Sequence, residues 1–208
     1  MNYVDNIKER YPALAPITGD IEAAVNAIVD CYKSGGKILL CGNGGSAADS
    51  EHISGELLKG FMSLRQPTEE EMSRLAEALG DDEAAGKLQR GIPAIPLTSL
   101  SASLSAFAND VEPDMVYAQL VYGYARENDL VIGLSTSGNS KNVVNAMKAA
   151  KAMGIAGVSL TGAKESKLSA LSNVTIRVPE TETFKVQELH LPVYHYLCAQ
   201  MEAIVFEN

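Results

Sequence analysis

Apolar residues return along this chain at two spacings. Between residues 18 and 34, Ile21, Val25, Ile28, Val29 and Tyr32 fall on one side of a 3.6-residue repeat, which predicts a helix. Thr18 or Asp20 is placed to cap its start, and Gly35-Gly36 to end it. Short runs rich in apolar residues alternate with such stretches. Residues 37–41, 94–98, 129–134, 155–160 and 174–178 read as strands. The run from Asp129 to Leu134 is apolar without a polar alternate, as a parallel strand covered on both faces requires. Pro96 in the second run predicts a bend or an unpaired position. Helices are expected at about 47–59, 99–108, 113–126, 140–153, 164–171 and 184–205. A further one is expected in the first eleven residues, broken by Pro12 and Pro16. Strands alternating with helices predict an α/β fold with a parallel sheet, and the whole chain, 1–208, reads as one domain.

One segment breaks the alternation. Residues 62–91 are rich in charge, and Thr68-Glu-Glu-Glu71 has the form of a capping box. Met72, Leu75 and Leu79 make a stripe and Gly80-Asp-Asp82 a break. The segment reads as an inserted helical pair, about 68–79 and 82–90. It is either a solvated hairpin or a lid or interface element.

Composition narrows the function. With 208 residues, 46% of them apolar, the chain can bury a core without staples. A net charge of −9 with no cluster of Lys and Arg speaks against a nucleic-acid surface. No apolar run reaches the ~18 residues of a membrane span, and Met1 opens a polar segment rather than a signal peptide. Cys31, Cys41 and Cys198 lie in apolar surroundings and read as buried thiols. The expectation is a cytoplasmic protein with no membrane or nucleic-acid partner.

Three stretches carry chemistry. Gly42-Asn-Gly-Gly-Ser46 follows the first strand and opens a helix, so it can hold an anion or simply turn the chain. Ser135-Thr-Ser-Gly-Asn-Ser140 follows the third strand. Four hydroxyls and a helix start there make a neutral phosphate cradle, more than capping alone needs. His52 and Glu56 share a helix face, a spacing that serves a divalent metal, an acid–base pair or a harmless surface pair. The other histidines, His190 and His195, lie with Gln187 in the last helix, so all three histidines fall in two helices. Gln187 and His195 are about two turns apart, ~12 Å along an ideal helix. A kink at Pro192 or a second subunit would be needed for them to share one ion.

Together CGNGGSAADSEH (41–52), STSGNS (135–140) and QELHLPVYH (187–195) resemble the SIS (sugar isomerase) domain family, most of all its bacterial phosphoheptose isomerases. The resemblance implies a Rossmann-like three-layer sandwich and a homotetramer with sites near subunit interfaces. It implies a zinc ion held at His52, Glu56, Gln187 and His195. Glu56 matches the catalytic base and His195 the catalytic acid of an aldose–ketose isomerase working through an enediol. Asn43, Gly44, Gly45, Asn109 and Asp110 match sugar contacts, Ser135, Thr136, Ser137 and Ser140 the phosphate loop, and Gln187 also touches substrate. The alternative within the family is a non-catalytic member that senses a sugar phosphate or scaffolds a replication initiator. The chain departs from the pattern in its insertion, in Gly60 where an arginine is usual, and in Phe184 where an acidic residue is usual. The last two remove polar groups from the mouth of the site.

Overall fold

In the computed structural model, which describes residues 3–206, the five apolar runs form five strands. They are β1 (Ile38–Cys41), β2 (Ala94–Pro96), β3 (Leu130–Leu134), β4 (Ala156–Thr161) and β5 (Val174–Arg177). They lie in the order β2-β1-β3-β4-β5, each pair parallel. Ile38 stands opposite Ala94 on one side and Leu130 on the other. The helices are α1 (Tyr3–Arg10), α2 (Thr18–Lys33), α3 (Gly45–Leu58), α4 (Glu69–Leu79), α5 (Asp82–Ala85), α6 (Ser101–Asp110), α7 (Val116–Tyr124), α8 (Lys141–Ala152) and α9 (Thr183–Phe206).

Strand alternation divides the core in two. Ile38, Leu40, Leu130, Ile132, Val158 and Leu160 pack with residues of α2, α3 and α9. Leu39, Cys41 and Val131 face the opposite way and pack with α7 and α8. Both faces of the central strands are therefore covered, which is why β3 needs no polar alternate. The result is the three-layer arrangement, helices on both sides of a parallel sheet. All three cysteines are buried and free. Among the described residues no helix is long and apolar enough to cross a membrane.

Several local expectations are corrected. Helix α2 starts at Thr18 without a side-chain cap, because Ile17 stands at the cap position; the Thr18 hydroxyl turns back to the Ala15 carbonyl at 3.1 Å. The expected 164–171 helix is a run of turns. Ser166 and Ser169 bond each other's backbone and hydroxyl groups there, and that local bonding competes with a helical ladder. Of the second insertion helix only Asp82–Ala85 forms, closed by Gly86. The first forms with its capping box, Thr68 and Glu71 bonding each other's backbone N–H. Strand β2 ends at Pro96 on the sheet edge, where a missing donor is tolerated. Asn109-Asp110, expected after a helix, is its last turn. Helix α9 runs on through Pro192.

Candidate functional site

The chain leaves β1 toward β2 on one side and returns to place β3 on the other. The carboxyl ends of β1 and β3 therefore flank a topological switch point, where open α/β sheets leave a crevice for ligands. Both suspect turns hang there. Residues 42–44 link β1 to α3, and residues 135–140 link β3 to α8. The Tyr117 hydroxyl fixes the first by donating to the Gly42 carbonyl at 2.6 Å. The two turns are tied together by paired amides. Asn43 Nδ2 donates to Asn142 Oδ1 at 2.8 Å, and Asn142 Nδ2 returns a bond to Asn43 Oδ1 at 2.9 Å.

In the serine turn, the Ser135 and Ser140 hydroxyls lie 3.0 Å apart. Ser140 stands at the cap position of α8, yet its side chain makes no capping bond. Gly138 has φ +65°, and a Cβ on it would come within 2.2 Å of the Ser166 hydroxyl. Only glycine fits, and the 166–168 segment braces the turn. Leu168 donates to the Gly138 carbonyl, and the Lys167 amide to Asn139 Oδ1. The amides and hydroxyls at a helix start are the parts from which a phosphate site is made.

The second cluster is built by α3 against α9. His52 Nε2 lies 3.2 Å from Glu56 Oε1, as their one-turn spacing allows. The His195 ring reaches in from α9, 5.1 Å from the His52 ring between centroids. Tyr194 holds the other side of His52, its hydroxyl 3.0 Å from Nδ1 and 3.4 Å from Asp49 Oδ1. Lys59 Nζ donates to Glu56 Oε2 at 2.8 Å. Burial pushes the Glu56 carboxyl up, but Lys59 and then His52 outweigh it, so the group lies below its ordinary value. Burial, with His52 beside it, holds His195 below the usual imidazole range, against an opposing pull from Glu56. The site therefore sets an ionised carboxylate next to a neutral imidazole, a pairing suited to proton transfer.

Not every candidate joins this cluster. Gln187 lies against the glycine turn, so close that a Cβ on Gly45 would meet its Nε2 at 2.4 Å. Asn109 and Asp110 bond each other at the exposed end of α6. The four residues expected to hold zinc are thus split, with His52, Glu56 and His195 together and Gln187 against Gly45. His52 Nε2 and Glu56 Oε1 face each other, while Tyr194 holds His52 Nδ1 and Lys59 holds Glu56 Oε2. Among the described residues no group of three or more His, Cys, Asp or Glu is placed to hold a metal ion. The set does not fit a metal within one chain.

The sequence pattern does not single out Asn142, Tyr194, Asp49 or Lys59. Tyr194 had a signal: a tyrosine in a buried apolar helix needs a partner for its hydroxyl. Asn142 had none, because its role depends on a turn 99 residues away in sequence.

Comparison with known proteins agrees with this architecture. Residues 2–92 match one SIS domain model and residues 94–206 match another. The phosphoheptose isomerase of Akkermansia muciniphila is 35% identical over 205 residues, covering 99% of this chain and 96% of that protein. The phosphoheptose isomerase of Aneurinibacillus thermoaerophilus is 34% identical over 203 residues, covering 98% and 90%. Among solved structures, a phosphoheptose isomerase from Neisseria gonorrhoeae superposes with a TM-score of 0.75 at 29% identity, covering 96% of this chain and 94% of that one.

Proposed function

The chain belongs to the SIS domain family, and from that premise we propose that it is a phosphosugar aldose–ketose isomerase of the phosphoheptose isomerase kind. One observation carries the chemistry: Glu56 and His195 meet in one cluster from two facing helices, in surroundings that hold the carboxyl and the imidazole each below its ordinary value. Glu56 removes the proton from the carbon beside the sugar's carbonyl, giving an enediol. Once protonated it can exchange with water, and it then delivers a proton to the neighbouring carbon. The His195 N–H donates to the carbonyl oxygen and moves a proton between the two oxygens. A neutral imidazole can serve as such an electrophile. The substrate's phosphate rests on Ser135, Thr136, Ser137 and Ser140 at the start of α8, with Asn43, Gly44, Gly45 and Gln187 along the sugar.

No step is assigned to zinc, since the donor set is divided in the chain. Spacing also bears on assembly. Glu56 lies eleven residues from Gly45, ~16 Å along α3. The glycine turn and the base thus stand at opposite ends of one helix. We take this as support for a homo-oligomer, a tetramer by the family resemblance, in which a second copy completes each site. Exposed Tyr122, Tyr124, Phe184 and Leu191 supply apolar surface for it. A cytoplasmic location fits this metabolic role and the buried free thiols. A sensor or scaffold has no need of the intact Glu56–His195 pair. The test is a panel of phosphorylated ketoses and aldoses: turnover of sedoheptulose 7-phosphate or a shorter relative supports the reading, and binding without turnover of any member rejects it.

A further inference from the structure

The chemistry above makes no use of Arg65 and Glu202, whose side chains are wholly shielded from solvent. Arg65 Nε donates to Glu202 Oε1 at 2.7 Å. Apolar side chains of similar volume often stabilise a fold as well as a buried ion pair does, so the pair's surroundings say more about its role than its own bond. Arg65 directs its remaining donors at the end of α3. Nη1 donates to the Leu57 carbonyl at 2.6 Å, and Nη2 to the carbonyl of Glu56 itself at 3.2 Å. The last carbonyls of a helix have no partner within it. Lys59, the residue following α3, is extended and offers no left-handed cap. The guanidinium fork takes that place.

Glu202 holds the rest of the segment. Its carboxylate accepts the amides of Phe61, Met62 and Ser63 at 2.8, 2.6 and 2.9 Å. Phe61, fixed in this way, lies with its ring centroid 5.6 Å from that of His195. The far end of the insertion closes on the same point. The Arg90 amide donates to the Arg65 carbonyl at 2.7 Å, and the Ile92 amide to the Leu57 carbonyl at 2.8 Å.

We propose that Arg65 and Glu202 are positioning residues that tie the root of the 62–91 insertion to the catalytic pair, Arg65 fixing the helix end that carries Glu56 and Glu202 fixing Phe61 against His195. The proposal rests on the reading of Glu56 and His195 as base and proton carrier. It gives the insertion a task at its root, whatever its outer helices do. It also separates two kinetic constants. The phosphate is gripped at the end of β3, on a turn that neither residue touches, so their loss alters alignment at the reacting carbon and leaves the grip on substrate intact.

The experiment measures kcat, KM and thermal midpoint for wild type, Arg65→Lys and Phe61→Ala on the sugar that the panel identifies. A lysine keeps the charge opposite Glu202 but lacks the planar fork that reaches two carbonyls as well. Arg65→Lys is expected to lower kcat by about 10²-fold, with KM within about twofold of wild type. Phe61→Ala, outside the ion pair, is expected to lower kcat about tenfold with a folded chain. A purely structural role would lower the midpoint and leave kcat of the folded enzyme alone. Wild-type kcat in folded Arg65→Lys overturns the proposal, as does a change confined to KM. If Arg65→Lys does not fold, wild-type kcat in Phe61→Ala overturns it. Wild type inactive on every sugar rejects the isomerase reading and this inference together, whereas an active wild type with unchanged variants rejects the inference alone.

Discussion

Asn43 and Asn142, 99 residues apart, hold each other by two amide hydrogen bonds across the crevice between β1 and β3. The glycine turn and the phosphate turn are thus one surface, although each is built by a different strand–helix unit. Asn142→Ala should separate them. Because the pair is exposed, the loss is about 1 kcal/mol, read as a roughly fivefold rise in KM with kcat little changed. Steady-state kinetics checks this, and an unchanged KM would remove the pair from the site.

Assembly can be tested through the site. Ser137→Asp places a negative charge where the phosphate is to sit, and Glu56→Gln removes the base. Each should be inactive alone. If a second copy completes each site, co-expressed chains of the two kinds should regain turnover in mixed oligomers. A monomer by light scattering, or a mixture no more active than its parts, would contradict the shared site.

Burial of His190 makes stability depend on pH. The ring is fully buried with Nδ1 unpartnered, and burial lowers its value to about 4, against a weaker opposing bond to the Thr161 carbonyl. Below the unfolded-state value of 6.5 the unfolded chain binds a proton that the folded chain refuses. Stability therefore falls as pH drops from about 6.5 to about 4, by about 3 kcal/mol over the window, and no further from this group below it. Thermal midpoints between pH 7.5 and 5 should fall more steeply for wild type than for His190→Gln. Parallel curves would show that the ring does not carry the effect.

Because Gln187 stands against Gly45, apart from His52, Glu56 and His195 within one chain, treatment with a chelator should leave turnover within about twofold of untreated enzyme. Loss of activity restored by zinc alone would show that the four side chains come together in the assembled, loaded enzyme.

Much of this was legible before the structure. Continuous apolar runs marked the central strands β1 and β3, which are covered on both faces, and runs rich in apolar residues marked the other three, although β4 and β5 carry Ser159, Thr175 and Arg177. The one-turn spacing of His52 and Glu56 placed them on one face, and the hydroxyl-rich turn after β3 stood out by excess. What escaped notice depended on long-range closure. Arg65 sat in a segment whose charge reads as solvated, and nothing local announces that it turns inward. Glu202 did offer a sign, as a lone acid in the apolar end of α9, where a buried charge demands a partner. The false 164–171 helix came from small residues of fair propensity whose serines bond locally instead.

The base is the centre of this account, and deuterium reads its action directly. Wild-type enzyme turning over a phosphosugar in heavy water should place deuterium on the carbon beside the carbonyl, seen by NMR. Glu56→Gln should place none and form no product, while still binding the phosphosugar. Isomerisation at the wild-type rate by Glu56→Gln would contradict the account.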